Sequence, residues 1–177
     1  NGLYVDTNGN ATFANITANE NNGGAYIFAV NNLTLATFVN VTFTGVNTFN
    51  NNTSGDGLNV NTDGAITISN ITANANEYYG AYLDNLGNAN GIKAITLSGT
   101  NMFNSNKDDG LYIEASGNVT LTRITANYNN DPGLDVSHGV YVYSSFGNIL
   151  LTCGSMYNNE GYGYDLTVGF VGKTITL

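Results

Sequence analysis

A four-residue motif beginning with glycine recurs along the chain, and it constrains the fold more than any other feature of the sequence. It reads Gly-Leu-Tyr-Val at positions 2–5, and related segments begin at Gly24, Gly57, Gly80 and Gly110. The copies are about 22 to 33 residues apart, a spacing typical of solenoid proteins, in which each repeat stacks on its neighbours. A repeat this short cannot bury a core alone, so we expect one elongated domain over residues 1–177.

The register of the motif becomes ambiguous near residue 130. Gly133-Leu134-Asp135-Val136 keeps the alternation of short and long repeats. Gly139-Val140-Tyr141-Val142 matches the motif better and would make residues 131–138 an inserted loop. Both alternatives lead to a last copy at Gly163-Tyr164-Asp165-Leu166.

Two further short motifs follow the first in each repeat. Examples are Ala65-Ile66-Thr67-Ile68 and Ile71-Thr72-Ala73-Asn74, in which apolar residues alternate with polar ones between Gly, Asn and Ser. This is the pattern of short strands separated by turns. Three such strands in constant order predict an all-β fold, a single-stranded parallel β-helix of about six to seven coils, and the three uneven sides favour the right-handed form.

Equivalent core positions compensate each other in volume. A first column alternates leucine and alanine, and a second alternates alanine with an aromatic residue, so that large and small residues share each layer. The first column contains Leu3, Ala25, Leu58, Ala81 and Leu111, and the second contains Ala18, Phe49, Ala73, Phe103, Ala126 and Tyr157.

Asparagine recurs at one turn of every repeat. Stacked Asn amides can hydrogen-bond between coils, and Asn tolerates the left-handed conformation of a sharp corner. We therefore predict a structural Asn ladder at Asn19, Asn50, Asn74, Asn104, Asn127 and Asn158. A second series follows two residues later, at Asn21, Asn52, Asn76, Asn106 and Asn129.

Charge and composition exclude several function classes. The net charge is −9 with only four basic residues, so binding to nucleic acid or to anionic membranes is not expected. No apolar run reaches the length of a membrane span, which argues against membrane insertion. Cys153 is the single cysteine, which excludes an intrachain disulfide, and we expect neither a metal site nor a cofactor.

These repeats resemble the pectin-lyase-like right-handed parallel β-helix superfamily, and among its members the Asn/Thr-rich repeats of bacterial surface proteins. The resemblance covers the whole chain and rests on segments such as Gly110-Leu111-Tyr112-Ile113 with Ile124-Thr125-Ala126-Asn127. It implies the fold more than the activity, because this scaffold carries lyases, hydrolases, adhesins and tailspikes.

An enzymatic interpretation depends on a few motifs. The polygalacturonase-like branch has an Asn-Thr-Asp, an Asp-Asp and a Gly-His-Gly motif, which the resemblance would place at Asn61-Thr62-Asp63, Asp108-Asp109 and Ser137-His138-Gly139. Asp63 follows its Gly-Leu-Asn-Val strand, whereas Asp108 and Asp109 precede theirs, which begins at Gly110, so the motifs are expected at different corners of the coil. No Arg-Ile-Lys follows His138, and the only arginine, Arg123, has no matching carboxylate cluster. We predict no catalytic site; if the chain is an enzyme, the candidates are Asp108, Asp109 and His138.

One strand position gives the chain a distinctive surface. The residue after the first core position points outward, and it is usually tyrosine, which could contact glycans or a partner or could simply pack coil on coil. This predicted tyrosine stripe contains Tyr4, Tyr26, Tyr82, Tyr112 and Tyr141, interrupted by Asn59. Asn-X-Ser/Thr triplets that permit glycosylation occur at Asn10, Asn15, Asn32, Asn40, Asn51, Asn52, Asn70 and Asn118.

We predict a structural, extracellular or cell-surface rod: a segment of an adhesin, surface layer or filament that is secreted and can contact carbohydrate. Because the chain opens and stops on core-type strands, we expect its ends to be covered by flanking repeats or by other copies stacked end to end. A polysaccharide hydrolase or lyase is the alternative.

Overall fold

A computed structural model describes residues 1–31, 38–87, 92–131, 133 and 136–177. The secondary structure of this part consists of eighteen short strands. All strand pairs in it are parallel. The strands form three sheets, and neighbouring strands in each sheet come from successive coils. This is the predicted parallel β-helix.

Three sheets form the sides of the coil, and we call them A, B and C. Sheet A contains β1 (Leu3–Thr7), β3 (Ala25–Ala29), β6 (Leu58–Thr62), β9 (Ala81–Asp84), β12 (Leu111–Ala115), β15 (Val140–Ser144) and β17 (Tyr164–Val168). Sheet B contains β2 (Ala11–Ala14), β4 (Val41–Thr44), β7 (Ile66–Ser69), β10 (Ile95–Ser98), β13 (Val119–Thr122), β16 (Ile149–Thr152) and β18 (Ile175–Thr176). Sheet C contains β5 (Asn47–Thr48), β8 (Ile71–Thr72), β11 (Asn101–Met102) and β14 (Ile124–Thr125).

The seven strands of sheet A confirm the predicted coil number. At about 4.8 Å per coil they make a stack roughly 30 Å long. The register also decides the ambiguity near residue 130, because Leu111 pairs with Val140 and Tyr112 with Tyr141. The copy that begins at Gly139 is therefore the sheet A strand; Leu134 and Asp135 of the competing copy lie outside the described residues.

The core fills the space between the sheets and follows the predicted volume rule. Leu58 and Ala73 are buried in one coil, and Ala81 and Phe103 are buried in the next. One member of the predicted second column is wrong. Thr125 pairs with Ser155, so the residue aligned with Ala126 is Met156 and not Tyr157. Met156 packs against the core, while Tyr157 is 49% exposed.

The motif glycines lie where adjacent coils approach most closely. A Cβ atom on Gly110 would lie 2.7 Å from the carbonyl oxygen of Gly139 in the next coil and 2.7 Å from the Phe103 oxygen. On Gly57 it would lie 2.6 Å from the Gly80 oxygen. Glycine is therefore required by close packing of backbone on backbone at this corner.

Candidate functional site

The outward side of sheet A carries the predicted tyrosine stripe. Strand pairing aligns its members in one column, which runs Tyr4, Tyr26, Asn59, Tyr82, Tyr112, Tyr141 and Asp165. Tyr4 is 60% exposed, and the other tyrosines are partly buried by their neighbours. We call the outward positions of sheet A the tyrosine face. Its binding role stays a prediction.

Three consecutive tyrosine rings of the stripe, those of Tyr82, Tyr112 and Tyr141, stack on one another. The ring centroids of Tyr82 and Tyr112 are 5.2 Å apart with an interplanar angle of 9°, and those of Tyr112 and Tyr141 are 4.6 Å apart at 13°. The ring of Tyr79, from the turn before β9, lies 5.1 Å from that of Tyr112. Each ring in the stack covers a face of its neighbour, so this part of the column presents ring edges and hydroxyl groups outward.

A second outward column on sheet A is acidic in its middle. Its members are Asp6, Phe28, Asn61, Asp84, Glu114, Tyr143 and Thr167. Glu114 joins the two columns, because its carboxylate accepts hydrogen bonds from the hydroxyl of Tyr82 (3.2 Å) and that of Tyr112 (3.3 Å). The fourteen outward positions therefore include four carboxylates and no basic residue.

Burial and the clustered carboxylates change the acidity of these groups. Burial, followed by the charges of Glu114 and Asp84, raises the pKa of Tyr82 above its usual range. Burial also raises the pKa of Asp84, with a further contribution from Glu114. In both cases burial is the larger cause and the neighbouring carboxylates add to it, so both groups hold their protons more strongly than in water.

The three candidate catalytic residues meet at the corner that precedes sheet A. Asp109 is 5% exposed and accepts a hydrogen bond from the backbone N–H of His138 in the next coil. The backbone N–H of Asp109 donates to Asp108 Oδ1 (2.9 Å), and the Nδ1 atom of His138 accepts from the backbone N–H of Tyr162 (3.0 Å). The side chains of Asp109 and His138 thus each accept a hydrogen bond from the backbone of the following coil.

Asp109 is the most perturbed carboxyl at this corner. Burial, reinforced by the charges of Asp108 and Asp165, raises its pKa to about 7, although the hydrogen bond from His138 opposes the shift. A carboxyl with this pKa could hold a proton near neutrality. This is the one feature of the corner that resembles a general acid.

The remaining motif residues lie elsewhere. Asp63 directly follows β6, so it lies at the carboxyl ends of the sheet A strands, whereas Asp108 and Asp109 lie at their amino ends. The Asp63 carboxylate accepts hydrogen bonds from the backbone N–H groups of Val39 (2.7 Å) and Asn31 (3.2 Å). Arg123 lies between sheets B and C and is exposed. In the described ranges, no group of three or more His, Cys, Asp or Glu residues is arranged to hold a metal ion.

The predicted Asn ladder exists, but its last member is wrong. The Oδ1 atom of each ladder Asn accepts from the backbone N–H of the next, as in Asn19 to Asn50 (2.7 Å) and Asn74 to Asn104 (2.7 Å). Asn127 accepts from Tyr157, so Asn158 falls one position outside the ladder. Asn158 instead has φ of 53° and occupies the left-handed corner position.

The second Asn series forms a more deeply buried ladder, and its hydrogen bonds run in the opposite direction, from each Asn to the Oδ1 atom of the Asn in the following coil. Asn76 donates from its backbone N–H and from Nδ2 to the Oδ1 atom of Asn106, both at 3.0 Å, and Asn106 repeats this arrangement with Asn129. The side chains of this inner ladder are Asn21, Asn52, Asn76, Asn106, Asn129 and Asn159. Its last member, Asn159, is not in the predicted series, because the sequence pattern placed the neighbouring Asn158 in the outer ladder.

Sequence reasoning also missed a pair of buried asparagines in sheet C. Asn47 and Asn101 occupy the inward position held by isoleucine in neighbouring coils, and both are fully buried. The Nδ2 atom of Asn101 donates to the carbonyl oxygens of Ser98 (3.2 Å) and Thr122 (3.1 Å). The signal was present, since Asn replaces Ile only in the coils that carry Phe49 or Phe103.

The possible glycosylation sites differ in accessibility. Asn52 is 1% exposed and its Nδ2 atom donates to Asn76 Oδ1 (2.8 Å), so a glycan does not fit there in the folded chain. Asn32 lies outside the described residues. Asn70 is partly exposed, and the exposed sites are Asn10, Asn15, Asn40, Asn51 and Asn118. Modification of these sites stays a prediction.

Comparison with known proteins agrees with this geometry. A family model described as a right-handed β-helix region matches residues 56–174. The chain belongs to the right-handed β-helix family. No curated protein and no solved structure matches it significantly. Membership of this β-helix family establishes the fold and leaves the choice between enzyme and structural protein to the site itself. Within the described residues, no helix is long and apolar enough to span a membrane.

Proposed function

We propose that this β-helix is a structural rod segment of a secreted or cell-surface protein, such as an adhesin, a surface layer or a filament, and that its tyrosine face contacts glycans. The inner Asn ladder carries the proposal. It links six successive coils through bonds that are buried in the middle of the ladder, such as that from Asn52 to Asn76 (2.8 Å), and it devotes one polar side chain per coil to axial cohesion.

Such a rod holds its surface residues at fixed intervals. Buried amide networks in which every group is paired favour a single rigid arrangement. In the described residues every buried side-chain nitrogen or oxygen has a hydrogen-bond partner. A stiff scaffold of this kind suits the display of a repetitive surface such as the tyrosine face.

The rod is proposed to continue by stacking of further coils. Successive coils are joined by the same parallel strand pairs and by the same inner-ladder Asn bonds. Further coils, from flanking repeats or from a second copy, would extend the rod through these same contacts.

Location is tested on intact cells of the native source. An antibody raised against residues 1–177 should label unpermeabilised cells in immunogold microscopy, and mild external protease should remove the label. Cryo-electron microscopy of the released material should show this chain in an axial stack. Labelling that requires permeabilisation would contradict the proposal.

The alternative function is cleavage of a polysaccharide, and one observation favours it. Asp109, whose pKa is raised to about 7 by burial, lies beside Asp108 and His138 at one corner. Incubation of the full chain with neutral, acidic and amino polysaccharides, with reducing ends as the readout, tests this alternative. Cleavage that is lost in Asp109→Asn while the fold is retained would replace the structural proposal.

A further inference from the structure

We propose that the tyrosine face selects cationic glycans, that is, polymers of sugars with free amino groups, over neutral or acidic ones. This inference rests on the proposed contact between the tyrosine face and glycans and names the class of glycan. Three observations support it: the sign of the charges on the face, the direction of its hydrogen bonds, and the pairing of the strands beneath it.

The charges on this face have one sign. Its carboxylates are Asp6, Asp84, Glu114 and Asp165, and the basic residues of the chain lie elsewhere. Lys107 pairs with Glu77 at 2.5 Å, the Lys93 ammonium lies 3.8 Å from the Phe38 ring centroid, and Arg123 lies between sheets B and C. A ligand on the tyrosine face therefore meets carboxylates with no basic side chain among the fourteen outward positions.

The hydrogen bonds on the face make its centre an acceptor surface. Tyr82 and Tyr112 each donate their only hydroxyl proton to Glu114. A phenol that donates its proton can still accept through its oxygen, and an ionised carboxylate only accepts. An ammonium group brings three donors to this site, whereas an acidic sugar brings further acceptors and negative charge.

A cation would also relieve a repulsion within the face. Asp84 and Glu114 are direct cross-strand neighbours on β9 and β12. Like charges at such a position repel, and the charge of Glu114 contributes to the raised pKa of Asp84. Asn61 donates to Asp84 at 3.2 Å, which offers a dipole but no positive charge. An ammonium group between the two carboxylates supplies the missing charge.

The strands beneath the face favour a glycan over a cationic peptide. Peptides often bind sheets by adding a strand to a free edge. In the middle of the face, β9 is paired with β6 and β12, and β12 is also paired with β15. The backbone there offers no free edge, so recognition depends on hydroxyl and carboxylate groups, which match the hydroxyl and amino groups of an amino sugar.

Binding of defined oligosaccharides to the immobilised full chain tests the inference. The probes are a glucosamine hexamer, its N-acetylated form, a galacturonic acid hexamer and hexalysine. We expect the glucosamine hexamer to bind at a pH at which its amines are protonated, at least about tenfold more tightly than the other three, and to weaken as salt increases.

Matched variants place the binding on the face. Asp84→Asn combined with Glu114→Gln should weaken the glucosamine hexamer at least about tenfold. Glu77→Gln removes an acidic residue outside the face and should leave binding unchanged. Circular dichroism and thermal unfolding confirm that each variant folds, and Glu114→Gln alone provides a milder change.

The outcomes separate this inference from the proposed function. Equal binding of the N-acetylated hexamer, or an unchanged affinity in the double variant, would overturn the choice of a cationic glycan while leaving glycan contact in place. Equal binding of hexalysine would overturn the assignment to glycans. Failure of surface labelling on native cells would instead contradict the proposed function, whatever the oligosaccharides do.

Discussion

The side-chain oxygen of Asn129 accepts two hydrogen bonds from Asn106 in the preceding coil, one from the backbone N–H (3.0 Å) and one from Nδ2 (3.1 Å). Asn106 is 1% exposed and Asn129 is fully buried. From Asn52 to Asn159, each amide of the inner ladder therefore acts as donor and acceptor at once. Neither a hydrocarbon nor a charged side chain of similar size can do both.

Asn106→Asp tests this pairing with an isosteric change. The protonated carboxyl can still donate to Asn129, whereas the ionised carboxylate cannot, and burial raises its pKa. The deficit in unfolding free energy relative to the parent should grow as pH rises from about 4, reaching about 1–3 kcal/mol or more. Urea denaturation at pH 4.5 and pH 8 measures it. Asn130→Asp, at an exposed position, is the control, and an equal deficit at both pH values would contradict the prediction.

Asp109→Asn should alter the pH dependence of stability. The carboxyl has a pKa of about 7 in the folded chain against an ordinary value of 3.8, so its contribution to stability is lost as pH rises from about 4 to about 7. The amide does not ionise, so the stability of the variant relative to the parent should rise over that interval, by at most about 4 kcal/mol. Denaturation at pH 4, 5.5, 7 and 8.5 gives the comparison. A pH-independent difference would argue against the raised pKa.

Phe103→Ala should destabilise the chain by about 3–5 kcal/mol, because it opens a cavity in a fully packed layer. Adding Ala81→Leu and Asn101→Ile recreates the composition of the layer that contains Leu58, Ile71 and Ala73. We expect the triple variant to recover at least half of the loss in thermal and chemical unfolding. If the triple variant stays as unstable as Phe103→Ala, volume compensation within a layer is not the reason that large and small residues alternate in the two core columns.

Gly110→Ala should cost about 1–3 kcal/mol, since the new Cβ atom would lie 2.7 Å from two carbonyl oxygens. Gly87→Ala is the matched control, because its Cβ would meet nothing within 4 Å, and its effect should stay within about 0.5 kcal/mol. Urea denaturation compares the two. Equal effects would show that close approach of the coils is not the reason for the motif glycine.

The coil pattern could be predicted from sequence because strand alternation and turn residues repeat in each unit. The alignment of Tyr82, Tyr112 and Tyr141 followed directly, since parallel strands in constant register place equivalent residues side by side. The prediction failed at the last turn, where Asn158 was aligned by residue type. The last bond of the outer ladder needs only a backbone donor, which every residue except proline has. The backbone N–H of Tyr157 is at the right place and donates to Asn127 Oδ1, so no Asn is needed there.

The sequence by itself determined the architecture, the volume alternation of the core and the residues that share a column, because all three depend on a repeating pattern along the chain. Only the tertiary structure decided that the second Asn series is buried, that the two Asn ladders run in opposite directions, and that Tyr82 and Tyr112 donate to one carboxylate. These properties depend on the direction of individual side chains at each corner. That direction is set by contacts between coils, which a repeat motif does not encode.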